Sequence, residues 1–140
     1  MRGRIDGIIR LQRWQLDEKR RGLAELEGMR QDFEDRLRHL EAELEREKAV
    51  ATQGGDAGFR FAEFVAATLA RKQAIQESIL NIEKGIEAAR DDVAEAFQEL
   101  KKLEMVDARQ QKDRKAQRDR GQQAMLDEMA IMRHGRAGGR

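Results

Sequence analysis

Few residues in this chain are of a type and spacing that could do chemistry. The two histidines, His39 and His134, lie far apart, each beside an arginine (Arg38, Arg133), and there is no cysteine. A metal site needs three or four ligands brought together, and these two histidines cannot form a ligand set alone. The absence of cysteine also excludes disulfides and a thiolate nucleophile. Neighbouring carboxylates occur at Asp91–Asp92 and Asp127–Glu128. Acid–base catalysis requires such groups to share a pocket with a partner, and these stand in charged, solvent-type sequence with none. The glycine pairs Gly54–Gly55 and Gly138–Gly139 have neither a preceding strand nor a following Lys-Ser/Thr, so no phosphate loop is implied. The basic stretch Arg109–Arg120 has no interleaved aromatic residues and is punctuated by Asp113 and Asp119, a poor pattern for tracking a nucleic-acid backbone. No enzyme, cofactor, metal or nucleic-acid partner is expected.

The elements that would position any site are helices. The chain has 140 residues, a length suited to one domain, and 39% of them are charged against ~25% in an ordinary soluble protein. With five Phe, one Trp and no Tyr, a packed globular core is not expected. Proline is absent, so nothing interrupts long helices. No apolar run approaches the ~18 residues of a membrane span, and Met1–Leu16 lacks a signal-peptide core, so stable membrane insertion is not expected.

Apolar residues recur at alternating steps of three and four from Ile5: Ile9, Leu16, Leu23, Leu26, then Phe33, Leu37, Leu40 and Leu44. Gln12, Lys19 and Arg30 are the interruptions. Such a 3.5-residue period is that of a coiled coil. It stops at Thr52-Gln-Gly-Gly-Asp-Ala-Gly58, where three glycines within five residues each cost a helix about 1 kcal/mol relative to alanine. Asp56 is a candidate N-cap for a second helix. The second stripe carries Phe61, Val65, Ile75, Ile79, Ile82 and Ile86, then Ala89, Val93, Ala96, Leu100 and Leu103, broken at Thr68 and Lys72.

Two amphipathic helices joined by a short glycine-rich loop form an antiparallel coiled-coil hairpin. The expected organisation is all-α, one domain over 1–140: helix 1 over about 4–51, a turn over about 52–58, a longer helix 2 over about 59–133, and a flexible tail over 134–140. Such a hairpin fills its own seam and is expected to be a monomer. The stripes also share one heptad frame, so a continuous parallel dimer is the rival arrangement. Folding at Gly55 pairs residue i with roughly residue 110 − i and brings Ile5 near Met105. Helix 1 then has no residues left, and the remainder of helix 2 overhangs as a polar helix in need of a partner.

Charge is unevenly placed. Residues 1–22 hold seven Lys/Arg and three Asp/Glu (+4), residues 23–100 ten and eighteen (−8), and residues 101–140 eleven and six (+5). Such a distribution orients a molecule approaching a charged partner. Trp14, with Leu11 one turn earlier, lies on the side of helix 1 away from the stripe, where an aromatic suits a contact point. Phe59, Phe61 and Phe64 follow the turn and are expected to close the hairpin tip. In the overhang, Met125, Met129 and Met132 recur at i, i+4, i+7 with Leu126 alongside, an adaptable apolar face. Arg114, Lys115, Arg118 and Arg120 precede it and would favour an acidic groove.

Several of these features together resemble the FliJ family of flagellar type III export components, also described as general export chaperones. They are the length, the start Ile8-Ile-Arg-Leu-Gln-Arg-Trp-Gln-Leu16, the turn near residue 55, and the polar basic helix ending in Ala124-Met-Leu-Asp-Glu-Met-Ala130. Leu126-Asp127-Glu128 followed by Arg133 is similar to that family's C-terminal signature. The resemblance implies a stalk like that of rotary ATPases, cytoplasmic and peripheral to the inner membrane. It also implies contacts with the export ATPase hexamer, the cytoplasmic domain of the export gate, and export chaperones that it helps recycle. A virulence-type secretion stalk shares this architecture, and a parallel dimeric scaffold unrelated to secretion is the remaining alternative.

Overall fold

The computed structural model describes residues 3–52 and 57–138. They form two helices, α1 (Gly3–Ala51) and α2 (Ala57–Gly138), and no strand is present among them. Both sequences are rich in Leu, Ala, Glu, Gln, Lys and Arg, the residues that lose least on entering a helix. Ion pairs one turn apart add to this: Arg21 with Glu18 at 2.6 Å, Arg30 with Glu34 at 3.8 Å, and Arg38 with Asp35. Near the end of α1, the Thr52 hydroxyl donates to the Ala49 carbonyl at 2.7 Å, satisfying one acceptor the helix leaves open. The glycine pair and the Asp56 cap of the sequence reading lie outside the described residues.

Contacts divide the chain into two units. The first, residues 14–96, packs α1 antiparallel to α2. Leu16, Leu40, Ile86 and Ala96 are buried there. Leu23, Leu26, Phe33, Leu37 and Leu44 are half-buried on α1, and Phe61, Val65, Ile75, Ile79, Ile82 and Val93 on α2. The polar interruptions of the stripes fare differently. Thr68 is 3% exposed and sits fully inside the seam. Lys72 and Arg30 are half-buried, and the Lys72 ammonium reaches Glu41 of α1 at 3.3 Å. Their aliphatic stems cover apolar surface while the charged ends stay wet. Lys19 alone among the interruptions is exposed, whereas Gln12, in the other unit, is half-buried. Gly85 lies where a Cβ would come 3.7 Å from the Leu26 side chain, and Arg90 pairs with Glu27 at 3.7 Å.

The second unit joins the start of α1, up to Arg13, to α2 from Phe97 onward. Ile9 and Leu100 are buried; Ile5 and Leu103 are half-buried. The seam then turns polar. Arg13 pairs with Glu104 at 3.5 Å, Gln111 donates to Asp107 at 2.8 Å, and Asp6, Arg10, Glu104 and Asp107 border one shallow hollow beside Ile9.

The register agrees with folding near Gly55: Leu26 packs within one residue of its expected partner, over Gly85. The long ion pairs reach further along α2, Glu41 to Lys72, Glu27 to Arg90 and Arg13 to Glu104, by up to about two turns. The α2 helix begins at Ala57 and runs to Gly138, so residues 134–138 are helical where the sequence suggests a tail.

Candidate functional site

Beyond Gln111, no other described residue covers α2. From Lys112 to Arg136 every described side chain is exposed except Ala116, which is half-buried. The helix persists there because its sequence is locally self-sufficient: strong helix formers, no proline, and short-range bonds such as Gln123 to Asp127 at 3.0 Å. An exposed helix of this kind is free to present side chains rather than bury them.

Two kinds of side chain are presented. Arg114, Lys115 and Arg118 line a shallow concavity with Gln111, Lys112 and Gln117. Two to five turns on, Met125 is 65% exposed, and Leu126, Met129 and Met132 are also exposed. Leu126 and Met129 border a second hollow with Ala130, Arg133 and His134. Asp127 and Glu128 are exposed beside them, and Asp127 accepts the bond from Gln123. Arg120 is exposed as well. Exposed apolar side chains clustered at helical spacing mark contact surfaces more often than scattered ones do.

The candidates on α1 belong to its outer side. Trp14 is 60% exposed and Leu11 is exposed as well. At the other end, Phe59 is 73% exposed while Phe61 and Phe64 are half-buried. Phe61 and Phe64 thus take up more of the packing than Phe59, which is left mostly exposed.

Attention to apolar residues alone misses the polar continuation of the seam, Glu104, Asp107 and Gln111. The signal that finds it is spacing: these three extend the Leu100 line at steps of four, three and four. Among the described residues no cluster of His, Asp and Glu could hold a metal ion, and no helix is long and apolar enough to cross a membrane. What the arrangement offers chemically is adhesion: a basic and apolar helix face held out from a coiled coil.

No curated protein and no solved structure matches the chain. A family model does, the one described as Flagellar FliJ protein, over residues 1–139. A two-helix coiled coil matched by that model along nearly all of its length belongs to the FliJ family, the coiled-coil proteins of flagellar protein export.

Proposed function

We propose that this chain is a non-enzymatic stalk of the flagellar type III export apparatus. It binds the export ATPase hexamer and the cytoplasmic domain of the export gate, and assists the recycling of export chaperones. It works on the cytoplasmic side, peripheral to the inner membrane, and is a monomer when alone. The observation that carries this reading is the uncovered end of α2, from Lys112 to Arg136, in a chain of this family. A helix left without a mate and furnished with cations and methionines has surface to offer a partner. Asp127 and Glu128, with Leu126, take part through the motif they share with the family. Leu11 and Trp14 supply further contacts on the outer side of α1.

The reading is tested by purifying the full chain with the export ATPase and, separately, with the gate's cytoplasmic domain. Stoichiometric complexes that dissociate as salt is raised are expected, since cations at the contact steer and hold an acidic partner. Failure to bind either protein would reject the reading. Binding instead to the ATPase of a virulence-type system would transfer it to that machinery.

A further inference from the structure

The exposed end of α2 has two unlike sides. At about 100° per residue, Arg114, Lys115, Arg118, Met125, Met129 and Met132 fall within an arc of about 100°. Arg133 and Arg136 fall in it too, with Leu126 at its margin. None of the four carboxylates of this stretch (Asp113, Asp119, Asp127 and Glu128) lies inside the arc. The opposite side mixes signs: Arg109 and Arg120 stand there with Asp113 and Asp127, and Lys112 lies at the flank. Arg120 is thereby separated from the other three cations of its cluster by at least about 120° around the helix.

The arc is also continuous with an interface already formed. Carried back along α2, the same bearing passes through Gln111, Asp107 and Glu104 to the buried Leu100 and Ala96, the side that holds α1. The face that binds a helix up to Gln111 therefore runs on, without turning, as a face that no described residue covers. Its first part is cationic, its middle carries Met125, Met129 and Met132, and Arg133 and Arg136 stand at its far end.

We propose that this face receives a helix of a partner protein, laid along α2 in the position that α1 occupies up to Gln111, acidic where it meets Arg114, Lys115 and Arg118 and apolar where it meets Met125, Met129 and Met132. This deepens the functional reading above and rests on it for the partner's origin. Charge complementarity selects the occupant: three cations without an intervening carboxylate favour an acidic segment, and a second copy of the same face would bring like charges together. The methionines adapt to an apolar partner whose shape they need not match closely. From 111 to 136 the helix is about 37 Å long, so the occupant spans roughly seven turns.

The test uses the full chain and a fluorescent 26-residue helical peptide whose contact positions are Glu in the half facing residues 111–118 and Leu in the half facing 125–132. Two charge variants have the same net charge: Arg114→Glu/Arg118→Glu on the face, and Arg109→Glu/Arg120→Glu behind it. All four positions are exposed, and circular dichroism checks that both variants stay folded. The face variant is expected to weaken peptide binding more than tenfold, and the rear variant less than twofold. Met125→Gln/Met129→Gln, which keeps helix propensity, is expected to weaken it more than fivefold. Equal loss from the two charge variants, or equal binding of a peptide with its halves exchanged, would overturn the proposal. So would pelleting of the chain with phosphatidylglycerol vesicles in the absence of peptide binding, which would make an anionic membrane the occupant. A dimer abolished by Met129→Gln would make it a second copy. Binding of the export ATPase is measured on the same variants: if it is unaffected while the peptide results hold, the face is real and its partner is another protein. If the ATPase binds all variants alike and the peptide does not bind, the functional reading survives and this face does not carry it.

Discussion

Ile86 keeps only 2% of its surface, and few residues in the chain are as completely enclosed. Removing its branched side chain leaves a void between two helices that have no other layer to collapse from. Ile86→Ala is expected to cost about 2–4 kcal/mol, read as a fall in the urea midpoint. Two glycines act in the opposite sense. A Cβ at Gly85 would sit in ordinary contact with Leu26, and one at Gly28 would meet nothing within 4 Å. Each lies within a helix, where glycine is poorer than alanine by about 1 kcal/mol. Gly85→Ala and Gly28→Ala are each expected to raise stability by about 0.5–1 kcal/mol. A loss at Gly85 would mean that the helices approach more closely there than the side-chain distance indicates. The core positions were legible from the heptads alone, because burial at a two-helix seam depends on little besides period. The fates of Lys19 and Lys72 were not, since one lysine is exposed and the other reaches a specific glutamate across the seam.

At the scale of the element, α2 is one continuous helix whose surroundings change along it. Around Ile86 it is covered by α1; near Glu104 it meets α1 through the ion pair with Arg13; past Gln111 no described residue covers it. Amide exchange should follow this order, slowest near Ile86 and fastest beyond Lys112, because opening the bare stretch breaks no tertiary contact. Uniform protection along α2 would show that the end is covered by something, a second copy included. The existence of both helices and the break between them could be read from the stripes and the glycines. So could the approximate register, since folding at Gly55 puts Leu26 within one residue of Gly85, whereas the reach of ion pairs such as Glu27 with Arg90 could not. The division of the basic cluster was equally hidden in the list of residue types. Arg114, Lys115, Arg118 and Arg120 look like one group until the pitch of the helix sends Arg120 to the other side.

For the whole molecule, the two contact units carry opposite charge. Residues 1–13 with 97–140 hold fifteen Lys/Arg against eight Asp/Glu, net +7, and residues 14–96 hold thirteen against nineteen, net −6. Encounter with an acidic partner should therefore be fast at low salt and slow markedly as ionic strength rises, with dissociation changing less. Intrachain packing of α1 on α2 also separates the hairpin from a parallel dimer. Leu26→Cys/Gly85→Cys should close within one chain on oxidation and leave its mass unchanged, whereas parallel dimers would link Leu26→Cys of one copy to that of another. The measurement that bears most directly on the function is the affinity of the export ATPase for the full chain and for a chain ending at Arg120. The truncation removes no residue of the seam, so its melting midpoint should match that of the full chain. Its affinity should fall at least tenfold with the loss of Met125, Leu126, Met129 and Met132. An unchanged affinity in a folded truncated chain would contradict the account and move the contact to the acidic unit or to the outer side of α1.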